Sequence, residues 1–384
     1  MSALHSDSVD STRDYAALAE RIKRWGRELG FGAVGVAGVD LAADEARLMA
    51  WLDDGRHGEM AYMARHGVRR TRPDALRPGT ISVISARLDY MRADCAPAEA
   101  VLEDAELGYL SRYALGRDYH KVLRRKLQML ADRISAEVGE FGYRAFTDSA
   151  PVMEKPLARN AGLGWIGKHT NLLSREAGSW FFIGELYTDL PLPHDAPGSD
   201  HCGTCRACID ACPTGAITAP YRLDARLCIS YLTIELKGSI PVELRPLVGN
   251  RIFGCDDCQL VCPWNRFAVH SDNDDFSPRH DLDAPRLVDL IRWSEAEFLH
   301  KTRGSPVRRA GYEGWIRNLA VALGNAKTSP EVTSALKSRL DFPSTLVREH
   351  VSWALEQHGA GGPGRENREN GGDDCQSHVG ESDW

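Results

Sequence analysis

The chain has 384 residues, a formal net charge of −7, 43% hydrophobic residues and 26% charged residues. These proportions exclude a fibrous or wholly disordered protein and leave room for two or three domains of about 150 residues each. No apolar run of about 18 residues occurs, and the opening MSALHSDSVDST lacks the basic and apolar parts of a signal peptide, so a cytoplasmic protein without a membrane span is expected.

Residues 1–14 read as a flexible lead. In residues 15–30, Leu18, Ile22, Trp25 and Leu29 recur at three or four, which predicts an amphipathic helix ending at Gly30. Phe31 to Ala37 reads as a strand, EARLMAWLDDG as a second helix, and Ile81 to Ser85 as a buried strand. The clearest helix covers 118–138, with Asp118 as its cap and Val122, Leu127, Leu130 and Ile134 on its apolar face. Strands follow at Tyr143–Phe146 and Trp180–Tyr187. This alternation predicts an α/β or α+β domain over 15–195, closed by the proline-rich Leu190–Asp200.

A cysteine-rich domain occupies 196–270. A helical domain follows over 271–358, where Trp315–Gly324 and Leu346–Leu355 share an apolar-Arg start and an Ala-Leu ending, about 31 residues apart. Such a pair resembles short HEAT-like repeats, and an ordinary helical pair fits as well. The glycine-rich, charged tail over 359–384 is expected to be disordered.

Acidic net charge gives no global attraction to nucleic acid, but local basic faces are available. Three clusters stand out: Arg69, Arg70, Arg72 and Arg77; Lys121, Arg124, Arg125 and Lys126; and Lys301, Arg303, Arg308, Arg309 and Arg317. Taken singly, each also reads as a solvated surface.

Eight of the ten cysteines fall between 202 and 262. Cys202, Cys205, Cys208 and Cys212 form the C-x2-C-x2-C-x3-C-P run of bacterial two-cluster ferredoxins. Cys255, Cys258 and Cys262 repeat its last three members. The missing first is Cys228, displaced by a 26-residue insertion that is free to face a cofactor. In this pattern the cysteine before proline crosses to the other cluster. One four-iron cluster therefore takes Cys202, Cys205, Cys208 and Cys262, and the second takes Cys212, Cys228, Cys255 and Cys258. Disulfides are disfavoured in a reducing compartment, and zinc is disfavoured by the two Cys-Pro endings. Cys95 and Cys375 fall outside the pattern. Two adjacent clusters imply chemistry run one electron at a time.

Gly162-Leu-Gly164-Trp-Ile-Gly167 is a literal dinucleotide fingerprint, but a helix rather than a strand is predicted before it, so a turn or a tight approach to some other cofactor is the better reading. Asp148 follows a predicted strand. It reads equally as a helix cap or as an acid that burial could tune for proton delivery.

Four features together resemble the epoxyqueuosine reductase family over residues 15–358: Phe-Thr-Asp148-Ser-Ala-Pro, Glu154-Lys-Pro-Leu-Ala-Arg-Asn-Ala-Gly-Leu-Gly-Trp-Ile-Gly-Lys168, Arg112-Tyr-Ala-Leu-Gly-Arg-Asp-Tyr-His120, and the cysteine array with its displaced Cys228. The resemblance implies an oxidoreductase of queuosine biosynthesis and tRNA modification. It implies base-off cobalamin in an α/β N-terminal domain, beside a ferredoxin-like domain and HEAT-like helices that complete a tRNA surface. It assigns Asp148 as the proton donor and places Tyr113, Asp148, Lys168, Thr170, Ser230, Asp256 and Gln259 around the corrin. A tRNA bearing epoxyqueuosine is the implied partner, with an unidentified electron donor and a monomeric state. Trp264 and Trp315 are candidates for supporting the target base, though both also read as core. Two other readings stay open: a reductive-dehalogenase-like cobalamin enzyme, and an electron-transfer adaptor without substrate chemistry.

Overall fold

The computed structural model describes residues 13–359. The N-terminal lead, the tail and Cys375 lie wholly or largely outside the described residues.

The first domain is built on a four-stranded sheet in the order Ala33–Ala37, Ser82–Asp89, Phe181–Thr188, Tyr143–Phe146, antiparallel throughout. Strand alternation sends Val34, Val36, Ile84, Leu88, Phe182 and Leu186 to one face, where the helices Tyr15–Glu28 and Tyr119–Val138 cover them. The other face packs on the short helix Glu154–Asn160. Asp118 caps the long helix as expected, accepting from the His120 N–H. The second strand runs four residues past its predicted end. Arg87 and Asp89 interrupt the apolar pattern yet stay buried, because they pair with each other at 3.1 Å and Arg87 donates to the Ser174 hydroxyl.

The glycine motif is a helix-to-strand turn. It leaves the helix at Asn160 and enters the short strand Trp165–Ile166. A Cβ at Gly164 would lie 1.9 Å from the Leu173 carbonyl oxygen, so glycine is required for close backbone packing and not for a dinucleotide.

The two similar C-terminal stretches fall in the helices Gly311–Gly324 and Thr345–Gln357, which pack directly on each other with Pro330–Lys337 between them in sequence. The insertion after Cys228 is built into the helical core. Leu232, Ile234, Ile240, Leu244 and Val248 join Trp315, Leu319 and Leu355 in one core, since their apolar surface is stabilised by burial among the helices. A parallel pairing of Tyr109–Leu110 with Arg251–Phe253 fastens this core to the first domain.

Two residues considered from sequence as contacts for tRNA belong here instead, Trp315 in line with its alternative reading as core. Trp315 is completely buried and cannot stack on a base. Arg317 is 1% exposed, and its guanidinium donates to the carbonyls of Leu232 at 2.6 Å, Leu236 at 2.8 Å and Gly238 at 2.7 Å. Truncation to alanine would strand these carbonyls. Arg317→Ala is expected to lower the unfolding free energy by about 3 kcal/mol, read as a lower urea midpoint at unchanged slope.

Candidate active site

Four thiols from both cysteine runs, Cys202, Cys205, Cys208 and Cys262, line one cavity of about 200 Å³. The crossover arises because the short helices Ala207–Asp210 and Asp257–Leu260 pack together, each carrying its run from the third cysteine toward the fourth. Cys212 lies close enough to Cys228 and Cys258 to add to what opposes their ionisation, after the burial that dominates it. Cys228 and Cys255 flank the same apolar core. Burial, followed by the neighbouring thiols, pushes Cys208 up to about 11. A positively charged cluster is the partner such buried thiolates need. A single zinc ion would draw four sulfurs to about 3.8 Å of one another. Among the described residues, no three metal-binding side chains are gathered for a lone ion. Trp165 points its indole N–H at the Cys202 sulfur, 3.5 Å away.

Asp148 sits in the loop after Tyr143–Phe146. It is no helix cap: the helix that follows begins after Met153. His120 Nε2 lies 2.8 Å from Asp148 Oδ1, Tyr119 donates its hydroxyl to Oδ2, and His120 Nδ1 lies 2.6 Å from Asp118. Adjacent positions at the start of one helix therefore supply both partners. Burial opposes charge on both Asp148 and His120. For the aspartate, the bonds from His120 and Tyr119 outweigh it and hold the carboxyl below its ordinary range. For His120, the bonds to Asp118 and Asp148 outweigh it and raise the imidazole to about 9. At neutral pH the proton therefore rests on His120, and Asp148 is its ionised partner.

Asp148 lines a cleft of about 270 Å³ together with Tyr113, Glu154, Phe181, Phe182 and Gln259. Gln259 donates to the Ser179 hydroxyl at 2.9 Å and directly follows Cys258. The cleft thus touches the cluster segment on one side and the aspartate–imidazolium pair on the other.

Of the residues assigned to the corrin, Tyr113, Asp148 and Gln259 meet in this cleft. Thr170 stands beside it in a left-handed conformation, with φ 68°, its carbonyl accepting from Lys155. The side chains of three others are committed elsewhere. Lys168 donates to the carbonyls of Gly203 and Cys205 at 2.5 and 2.8 Å, clamping the first cysteine loop. Asp256 is buried and accepts from Tyr109, Ser111 and the Arg112 N–H. Ser230 bonds the Cys228 thiol. The partners of Lys168 and Asp256 come from far along the chain, beyond anything local spacing encodes.

The basic clusters are likewise redistributed. Arg70 is buried against the Tyr62 carbonyl, Arg72 pairs with Glu45, and Arg309 pairs with Glu235. Arg117, Lys121 and Arg125 instead meet Arg279 and Arg303 around a cavity of about 480 Å³, whose lining carries the acids Asp118 and Asp275. Asp118 connects this cavity to the His120–Asp148 pair.

Two family descriptions match the chain: "4Fe-4S double cluster binding domain" over residues 201–265 and "Epoxyqueuosine reductase QueG, DUF1730" over residues 70–149. Epoxyqueuosine reductase of Pseudomonas aeruginosa is 63% identical, over 91% of this chain and 97% of its own. That of Escherichia coli K12 is 55% identical, over 90% of each chain.

The chain belongs to the epoxyqueuosine reductase family.

Among solved structures, an epoxyqueuosine reductase crystallised with an epoxyqueuosine-modified tRNA stem loop superposes with a TM-score of 0.82 at 29% identity, covering 90% of this chain and 91% of that one. The Bacillus subtilis epoxyqueuosine reductase, with a TM-score of 0.80 at 28% identity over 90% and 91%, was captured with an aspartate-bearing catalytic loop swung out of its active site. The matched 70–149 segment contains both the Arg112–His120 stretch and Asp148, and the 201–265 segment contains all eight clustered cysteines. Within this epoxyqueuosine reductase fold, sequence reasoning missed His120 and Tyr119 as partners of Asp148. The available signal was their position directly after a capping aspartate, which sets both side chains at a helix start beside the strand end.

Proposed function

We propose that this chain reduces the epoxide of epoxyqueuosine in tRNA to the alkene of queuosine, using two 4Fe–4S clusters and cobalamin, with Asp148 delivering a proton. The observation that carries this reading is the shared cleft: Asp148 with its imidazolium partner on one wall, and Gln259, the neighbour of a cluster cysteine, on another. Aromatic and aliphatic lining from Tyr113, Phe181, Phe182 and Ile183 suits the flat apolar body of a corrin, and the Gln259 amide and Ser179 hydroxyl suit its amide fringe. When bound, cobalamin supplies a reduced cobalt that can attack, or pass an electron to, a strained C–O bond.

The protein's part is proton management and positioning. An alkoxide leaves poorly, so the departing oxygen takes a proton through Asp148, drawn from His120 at 2.8 Å. Tyr119 keeps the carboxylate aimed. The loop bearing Asp148 is read as the counterpart of the loop that moves in the Bacillus subtilis relative. In this reading 15–195 is the cobalamin and catalytic domain, 196–270 the ferredoxin-like domain and 271–358 the HEAT-like domain of a monomer. Anaerobic reconstitution with iron, sulfide and cobalamin, followed by a chemical reductant such as dithionite and an anticodon stem-loop bearing epoxyqueuosine, should remove one oxygen, read by mass spectrometry. A chain holding both clusters and the corrin that leaves the epoxide intact overturns the reading.

The basic cavity beside Asp118 is read as a contact for tRNA backbone phosphates, close to where the target base must be held out of its stack. Reversing Lys121 and Arg303 to glutamate is expected to weaken stem-loop binding. The salt dependence should also lose about 0.7–0.9 in slope for each phosphate contact removed. Unchanged binding and slope would move the tRNA face elsewhere.

A further inference from the structure

Conversion of an epoxide to an alkene breaks both C–O bonds, forms the C=C π bond and releases the oxygen as water. It consumes two electrons, which the clusters pass singly, and two protons. The His120–Asp148 pair accounts for one of those protons. The other needs a second donor at the cleft.

We propose that Glu154 stores the second proton at the wall of the same cleft, backed by the buried, neutral carboxyl of Glu185. This deepens the reading of the chain as an epoxide reductase and rests on it.

Glu154 opens the helix Glu154–Asn160 and lines the cleft together with Asp148. Glu185 lies at the centre of the sheet, paired across to Ser85 on one side and to Phe146, two residues before Asp148, on the other. It is completely buried on the face covered by the Glu154 helix, and neither of its carboxyl oxygens has a hydrogen-bond partner among the described residues. An ionised carboxylate there, with no cation against it, is prohibitively costly, so Glu185 is a neutral acid. A core strand has no structural need for such a group, and an apolar residue would pack there without penalty.

The groups acting on Glu154 come from every neighbouring element. Asp148 in the preceding loop opposes its ionisation, while Glu185 on the strand, being neutral, adds no charge. Lys155 beside it, His120 on the long helix and Arg70 on the turn Gly67–Arg70 favour it. Burial is the largest influence, Asp148 the next, and together they push Glu154 up to about 8. Glu154 thus enters turnover protonated at neutral pH. It gives up its proton to the oxygen leaving the cleft as water, and it regains one from solvent between cycles.

The test compares Glu154→Gln, which keeps shape but cannot donate, with the native chain in the cluster- and cobalamin-loaded enzyme. In the native chain, kcat should fall as pH rises through about 8. In Glu154→Gln, kcat should drop by about 10²-fold or more, and the remaining alkaline limb should move to about 9, where His120 deprotonates. Stem-loop affinity and iron content should be unchanged. Infrared spectroscopy supplies a readout independent of turnover. The carbonyl band of a protonated carboxyl should titrate away near pH 8 in the native chain, and Glu154→Gln should lack that titrating component. Unchanged kcat with a limb still near 8, or no titrating carboxyl band in the native protein, overturns the proposal. If the native enzyme leaves the epoxide intact, the functional reading fails, and the infrared titration alone decides whether Glu154 holds a proton.

Discussion

Asp148→Ala is expected to cut turnover by about 10²–10⁴-fold, the range for losing a positioned acid, while both clusters and stem-loop binding survive. The separation follows from geometry. Asp148 touches neither the thiol cavity nor the basic cavity, and its bonds are to His120 and Tyr119. Because the proton rests on His120, Asp148→Asn should be nearly as damaging as alanine. An amide keeps the shape but severs the passage of the proton. His120→Ala should leave Asp148 without its proton supply and release it toward an ordinary carboxylate. The sign of the pH dependence is fixed by the same pair. His120 is charged below about 9, so the competent state is lost as pH rises and not as it falls. The raised imidazole also links to stability: its contribution is fully present below the unfolded value of about 6.5 and disappears as pH climbs through about 9. Full turnover in Asp148→Ala, with clusters and cobalamin intact, would remove Asp148 from the chemistry.

Cys258→Ala should abolish turnover and remove about half of the iron, because one of the two four-iron clusters loses a ligand. The same loss is expected from Cys212→Ala, even though Cys212 belongs by sequence to the first cysteine run. The double variant should lose no more iron than either single one, since both residues serve one cluster. Cys202→Ala combined with Cys258→Ala should instead strip both. If Cys212→Ala combined with Cys202→Ala removes only half of the iron, each run holds its own cluster and the crossover is wrong. The cavity shared by Cys262 with Cys202, Cys205 and Cys208 supports the crossed arrangement.

Local spacing carried much of the architecture. The helix Tyr119–Val138 with its Asp118 cap, the strands of the main sheet and the cysteine runs are written in short-range patterns, and these patterns reappear in the fold. The ends of elements were less legible. Ser82–Asp89 runs on because Arg87 finds Asp89 and Ser174, the latter 87 residues away. Charge patterns were least reliable. Arg317 has the composition of a surface group, yet it ties the insertion after Cys228 to the C-terminal helices, and Arg303 joins Arg117 and Lys121 only through folding.

The eight cysteines were visible in the sequence itself, because the ligand geometry of a cuboidal cluster is encoded in spacings of two and three residues, and the four that the spacing groups first do line one cavity. Asp148 was visible as a candidate, but its protonation was not. A carboxyl's charge depends on the partners that reach it through space, and His120, Glu154 and Glu185 come from three separate elements. Only the packed sheet and its helices bring those groups around one cleft, and that burial decides which of them carry protons.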